Sequence, residues 1–159
     1  MKRVALALLL GFGLVMWSAI ASLADQMADA IAAYDKGDYA TALTIWRPLA
    51  EQGNAKARTL LAEMYETGRG VAQDYNEALR WYRLASEKGL AQAQGNLGLM
   101  YAQGTGVPHD LVQSYMWFTL AKQGGLGAAD QALATLSKSM SPAQIEAAQT
   151  LANQWKPTP

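Results

Sequence analysis

Apolar residues recur along this chain at helical spacing, and the pattern repeats every 36 residues. Ala78, Trp81, Tyr82 and Ala85 occupy positions i, i+3, i+4 and i+7, which places them on one face of an amphipathic helix. The same stripe recurs one period earlier, from Ala42, and one period later. A helical unit repeated at this length predicts an all-α fold, an α-solenoid in which each unit buries its apolar face against its neighbours.

A second apolar stripe precedes two of these helices. It is formed by Ala57, Leu61, Met64 and Tyr65 and, one period later, by Ala93, Leu97, Met100 and Tyr101. Glycines at 68 and 70, and again at 104 and 106, separate the stripes and predict left-handed helix ends. Asp74 with Glu77, Asp110 with Gln113, and Ser141 with Gln144 each predict a capping box at the start of the following helix. We therefore interpret these aspartates as helix caps.

Together the stripes and turns predict eight helices in about four antiparallel pairs. The expected bounds are 26–36 with 39–52, 54–67 with 75–88, 91–103 with 110–123, and 127–139 with 142–155. Both ends depart from the repeat: a shorter turn at Gly37 resembles that of a tetratricopeptide unit, whereas Ser137 and Met140 replace the repeat tyrosine and turn glycine. The last helix is expected to cap the open face of the array.

The first 24 residues have the pattern of a secretory signal peptide. Lys2 and Arg3 precede an apolar run, and small residues lead to Ala24 just before the first acid, Asp25. We expect cleavage after Ala24, with a cut after Ala21 as the alternative, and a periplasmic or secreted product. The other interpretation is an uncleaved anchor in the inner membrane, since the apolar run is just long enough to cross a bilayer. Neither case requires stable membrane insertion of the remaining chain.

Charge and cysteine content narrow the classes of function. Removal of the first 24 residues leaves 11 basic against 13 acidic residues, without a basic stripe, so nucleic acid is not an expected partner. The chain contains no cysteine, so neither a lipid anchor nor disulfides are expected. Stability is therefore expected from the stacking of repeats.

The two complete copies are similar to the Sel1-like repeat, a relative of the tetratricopeptide repeat. The resemblance is carried by the series from Ala57 through Leu61, Tyr65, Gly68 and Gly70 to the Trp81–Tyr82 pair and Gly89, and by the matching series from Ala93 to Gly125. It implies a right-handed superhelix of helix pairs. The corresponding domain organisation is a signal peptide (1–24) and one solenoid domain (25–159), divided into a hairpin (25–53), two repeats (54–89 and 90–125) and a degenerate repeat with capping helix (126–156).

For function, the resemblance implies an adaptor or scaffold in a secreted bacterial protein, without enzymatic activity. Some cysteine-rich secreted relatives are described as penicillin-binding or weakly β-lactamase-like, but they carry a disulfide in each repeat that this chain lacks. We therefore do not transfer that activity.

Candidate catalytic and cofactor residues have simpler interpretations. His109 is the only histidine and adjoins the Asp110 cap, without a nucleophile or second metal ligand at the expected spacing. Met64 and Met100 recur with the core stripe, which favours core packing over copper ligation. The tryptophans share that spacing, which favours core packing over a sugar-binding platform. No catalytic, cofactor-binding or metal site is predicted.

The first helices of the pairs are expected to line the concave side of the array, where solenoids bind their partners. Counting from the apolar frame gives candidate protein-binding residues in three successive repeats: Lys56, Thr59, Glu63 and Glu66; Gln92, Leu99 and Ala102; and Gln131, Thr135 and Lys138. A surface that mixes acids, amides and an exposed leucine suits a peptide or protein segment. The alternative is an ordinary solvated face.

The sequence thus predicts a protein–protein interaction adaptor of the bacterial cell envelope that uses no cofactor. One alternative is a regulator or inhibitor of an envelope enzyme or sensor. A second is a cell-wall hydrolase or β-lactamase-like enzyme. The identity of the partner is not encoded in the pattern.

Overall fold

The structure is a computed structural model that describes residues 22–158. Eight helical segments connected by turns and loops make up this part of the chain, without a strand. The first, α1, is described over residues 22–35, and the others are α2 (Tyr39–Glu51), α3 (Ala55–Thr67), α4 (Tyr75–Ser86), α5 (Ala91–Gln103), α6 (Leu111–Gln123), α7 (Ala128–Leu136) and α8 (Pro142–Gln154). The all-helical prediction is confirmed. Residues 1–21 of the expected signal peptide lie outside the described residues.

The chain divides into two compact units, one extending to Trp46 and the other covering Arg47–Pro159. In the first, α1 and the start of α2 are joined by a turn in which Gly37 has a positive φ of 81°. Asp38 closes this turn by accepting a hydrogen bond from the Thr41 amide at 3.1 Å. The Tyr34 ring packs against Trp46 with 5.3 Å between ring centroids, so aromatic contact stabilises this hairpin.

The second unit contains the repeats. Helix α3 packs against α4, α4 against α5, and α5 against α6, as expected for stacked hairpins. The repeat is also visible in polar contacts: Arg47 donates a hydrogen bond to the Tyr65 hydroxyl at 3.1 Å, and Arg83 donates to the Tyr101 hydroxyl at 3.0 Å. Each pair joins the second helix of one hairpin to the first helix of the next at the same register. The repeat period therefore governs surface contacts as well as the core.

The turns follow the sequence closely. Gly68 and Gly104 both have φ near 71°, and the backbone N–H of each ends its helix by donating a hydrogen bond to the carbonyl of Met64 or Met100, respectively. The Asp74 and Asp110 carboxylates each accept two amide hydrogen bonds at the start of α4 and α6. These predicted caps are confirmed.

A full capping box also needs a second hydrogen bond, from the backbone amide of the N-cap residue to the side chain three residues later. This second bond differs among the helices. At α8 the Gln144 side chain accepts a hydrogen bond from the Ser141 amide at 2.8 Å, which completes a full capping box. At α4 the Glu77 carboxylate instead accepts from Arg80 at 2.8 Å. The expectation of a reciprocal bond from Glu77 is corrected, because an arginine one turn along the same helix provides a charged donor.

The last two helices both pack against α6. Helix α7 ends at Leu136, three residues earlier than expected, and α8 contacts α6 more extensively than it contacts α7. Met116 and Leu120 of α6 form a buried cluster with Ala148 and Ala152 of α8. Helix α8 therefore covers an apolar face of α6. Within residues 22–158, no helix has both the length and the apolar character needed to cross a membrane.

We expect Asp110→Ala to lower the free energy of unfolding by about 1 kcal/mol, because the amides of Val112 and Gln113 lose their acceptor. Asp110→Asn keeps a side-chain oxygen and should retain most of the stability. Urea denaturation followed by circular dichroism measures both variants. Equal stability of the alanine and parent proteins would show that the cap does not contribute.

Candidate functional site

An open groove lies between α5 and α7, above α6. Its volume is about 350 Å³, and its lining is almost entirely apolar. The lining residues are Leu99, Ala102, Phe118, Ala128, Gln131, Ala132, Thr135 and Leu136. None of these side chains titrates near neutral pH, so the groove offers shape and apolar contact.

The packing of α6 between its neighbours creates this groove. Phe118, only 5% exposed, belongs to a buried cluster with Ala121 and with Ala129 of α7. A β-carbon at Gly98 would lie 2.8 Å from the Phe118 ring, so the ring lies directly against the backbone of α5. The Ser114 hydroxyl also donates to the Gly98 carbonyl at 2.8 Å, which ties α6 to α5 at the same level. Phe118 therefore forms part of a fixed groove wall.

Leu99 is the exposed large apolar residue of this groove. The residue is 45% exposed, although Leu97 and Met100, its neighbours on α5, are fully buried. When a partner covers an apolar side chain that is exposed to water, the burial stabilises the complex by roughly 25 cal/mol per Å². The position suits an interaction surface.

A polar cluster adjoins the groove on α3, α4 and α5. The Tyr82 hydroxyl donates a hydrogen bond to Glu66 at 2.7 Å, and the Asn96 amide donates to Glu63 at 3.5 Å. Gln92 donates to the side-chain oxygen of Asn96 at 3.3 Å, which extends the cluster along α5. Glu63 and Glu66 are both half-buried. The cluster thus presents two carboxylates held by uncharged donors.

Burial controls the titration of this cluster. Desolvation raises the pKa of Glu63, the Asn96 hydrogen bond opposes that rise, and the negative charge of Glu66 adds to it. Burial and the hydrogen bond to Glu66 raise the pKa of Tyr82 far above its ordinary value, so its hydroxyl remains a donor. The Glu63 carboxylate is therefore a charge that its surroundings only partly stabilise.

The structure brings together most of the predicted protein-binding residues. Leu99, Ala102, Gln131 and Thr135 line the groove. Glu63, Glu66 and Gln92 belong to the adjoining polar cluster. Lys56 is exposed in the first turn of α3, and Lys138 is exposed in the turn after α7. Neither lysine lines the groove.

Thr59 is a correction to the predicted surface. It is only 3% exposed, and its hydroxyl donates to the Ala55 carbonyl within α3. The equivalent position in the next repeat is Gly95, where an added β-carbon would lie 2.5 Å from Leu126. This register position is buried in both repeats and cannot contact a partner.

The sequence interpretation missed the cluster residues Asn96 and Tyr82 and the groove residues Phe118, Ala128, Ala132 and Leu136. Tyr82 belonged to the predicted core stripe, but its hydroxyl reaches the carboxylate of Glu66. Asn96 could have been suspected because it lies one turn from both Gln92 and Leu99 on a helix face already expected to be accessible.

The residues weighed for chemistry occupy structural positions. Met64 and Met100 are fully buried, and Trp46 and Trp81 lie in the core, as the core interpretation predicted. His109 is exposed in the loop before α6. Among residues 22–158, no group of three or more His, Cys, Asp or Glu side chains is arranged to hold a metal ion.

Comparisons with known proteins identify the repeat. The Sel1 repeat family matches residues 55–90 and 91–126. The fold is similar to that of a protective antigen of uropathogenic Escherichia coli strains that displays an SLR fold, with a TM-score of 0.78, 27% identity, and coverage of 83% of this chain and 29% of the antigen. A Sel1 repeat protein from Oxalobacter formigenes matches with a TM-score of 0.67, 31% identity, and coverage of 71% and 46%. No curated protein matches the chain.

The matched structures support the α-solenoid prediction, but each is much longer than this chain. This chain spans less than half the length of either protein. The comparisons therefore establish the fold and the repeat, whereas partners must be argued from the surface of this chain.

We expect Glu63→Gln to increase stability relative to the parent protein at neutral pH, because the glutamine keeps an acceptor for Asn96 without the half-buried charge. The ordinary pKa of a glutamate is 4.5, and the pKa of Glu63 is raised above it in the folded state. Below that ordinary value the carboxyl is protonated in both states and the advantage of the variant is absent. The advantage should grow as the pH rises through the raised pKa.

Urea denaturation across this pH range measures the effect. Glu146→Gln, at an exposed position on α8, is the matched control and should show no such growth. If the Glu63 and Glu146 variants change in parallel with pH, the environment of Glu63 does not disfavour its charge.

Proposed function

Because this chain contains two Sel1 repeats, we propose that it binds a segment of a partner protein in the groove between α5 and α7 and carries out no chemistry there. Sel1 repeats commonly serve as scaffolds for protein–protein interaction. The observation that carries the proposal is the exposed Leu99 beside an apolar groove with Phe118 in its wall. Side chains of a partner segment are the natural occupants of a site with this shape.

The composition of the groove favours binding over catalysis. Its eight lining residues include no carboxylate, histidine, lysine or cysteine that could act as general acid or base or as an activated nucleophile. Asp74 and Asp110, which might otherwise attract attention, are occupied as helix caps. The groove can select a partner by apolar fit and by the hydrogen-bonding groups of Gln131 and Thr135.

The expected site of action is the cell envelope. This part of the proposal rests on the first 24 residues, in which a basic start, an apolar run and small residues before Asp25 are typical of an exported protein. The binding proposal does not depend on it, because the groove lies entirely within residues 99–136.

Site-specific photo-crosslinking tests the groove. A benzophenone amino acid in place of Gln131 should yield a discrete covalent adduct in the source cells, because Gln131 is exposed and lines the groove. The matched control replaces Gln149, an exposed glutamine of α8, and should yield none. Adducts formed equally at both positions, or only at Gln149, would place binding elsewhere on the protein.

Intact-mass measurement tests export. We expect full-length protein made in a Gram-negative host to be recovered from the periplasm with Asp25 at its N-terminus. In the variant Ala24→Glu, cleavage at that position should be lost, because a small residue is needed immediately before the cut. A full-length product in the cytoplasm would contradict the signal-peptide interpretation, and a full-length product in the membrane would indicate an anchor.

A further inference from the structure

The groove surface changes its chemistry from one repeat to the next at equivalent positions. Glu63 of α3 corresponds to Leu99 of α5 and to Thr135 of α7, each one period of 36 residues apart. Glu66 likewise corresponds to Ala102. The array thus presents two carboxylates on one helix and an apolar surface on the next. Positions that the fold does not hold constant are the ones that can specify a partner.

The acidic and apolar parts are adjacent. Asn96 donates to Glu63 at 3.5 Å and lies one helical turn before Leu99 on α5. One turn of helix advances about 5.4 Å, so the carboxylate and the exposed leucine are separated by on the order of 10 Å. About three residues of extended chain cover that distance.

The Glu63 carboxylate also lacks full compensation of its charge. The hydrogen bonds that hold the two carboxylates come from the uncharged groups of Asn96 and Tyr82. The negative charge of Glu66 acts unfavourably on that of Glu63, and both side chains are half-buried. A cation supplied by a partner would offset this repulsion and form charge-assisted hydrogen bonds in partly desolvated surroundings.

We propose that the occupant is an extended segment of another protein that places an aliphatic side chain in the groove beside Leu99 and a lysine or arginine about three residues away against Glu63 and Glu66. This inference rests on the proposed function and specifies the chemistry of the partner. Lys138, exposed just beyond the α7 end of the groove, disfavours a cation there. The charge distribution therefore also places the basic residue of the segment towards α3.

Selection from a phage-displayed library of random peptides tests the inference on protein purified after expression of the full chain. The peptides that the protein retains should be enriched in an aliphatic residue with a lysine or arginine about three positions away. A synthetic peptide of the enriched sequence then serves as the probe, with its dissociation constant measured by fluorescence anisotropy. Raising the salt concentration should weaken binding to the parent protein.

Two variants and two matched controls locate the contacts. Glu63→Gln combined with Glu66→Gln keeps the side-chain oxygens and should weaken the probe about tenfold while removing most of its salt dependence. Leu99→Ser should weaken it to a similar degree. The exposed residues Glu146 and Leu151 of α8 supply the controls, Glu146→Gln and Leu151→Ser, which should bind as the parent does. For each variant, an unchanged helical circular dichroism spectrum and cooperative thermal unfolding establish that its fold is retained.

The outcomes separate this inference from the proposed function. Enriched peptides without basic residues, or a glutamine double variant that binds like the parent, would overturn the inference while groove binding stands. A probe peptide that binds the Leu99→Ser variant as tightly as the parent protein would also overturn the inference. In either case, the adduct at Gln131 independently decides whether a protein partner occupies the groove.

Discussion

The close approach of α5 to α6 at Gly98 is the contact on which the groove depends. Because Gly98 has no β-carbon, the Phe118 ring lies directly against the backbone of α5, and the Ser114 hydroxyl bonds the carbonyl of the same glycine. Phe118 also packs in the cluster that includes Ala129 of α7. One ring thus contacts two of the helices that pack against α6, namely α5 and α7, and burying such a ring stabilises the arrangement by about 1.5–3 kcal/mol. This packing holds the Phe118 side of the groove wall in place.

The acidic end of the surface follows a different physical rule. Burial and the nearby charge of Glu66 disfavour the ionised form of Glu63, and the hydrogen bond from Asn96 opposes that cost. Core residues repeat because the same contacts between helices recur in each hairpin. Glu63 and Leu99 occupy equivalent positions with opposite chemistry, so packing alone does not account for their identities. The proposed binding surface, with an acidic part and an apolar part, accounts for both.

This division explains why the likeness to proteins with Sel1 repeats carries the fold and leaves the partner open. The structural neighbours share the helix pairs over most of this chain, yet this chain covers only 29% and 46% of their lengths. A solenoid can keep its core while its accessible positions vary, so function resides in the surface that each array builds. In this chain that surface joins an apolar groove to an acidic cluster within α3 to α7.

The sequence by itself determined the helices, their caps and their order, because these depend on local spacing: Asp74 and Asp110 bond amides two and three residues away, and Gly68 supplies a left-handed helix end. It also identified Leu99, Ala102, Gln131 and Thr135, since the repeat register assigns them to one face. Only the tertiary structure decided that Thr59 is buried, that Asn96 links Glu63 to α5, and that α8 packs on α6. Those outcomes depend on distances between helices far apart in the chain, which periodicity does not specify.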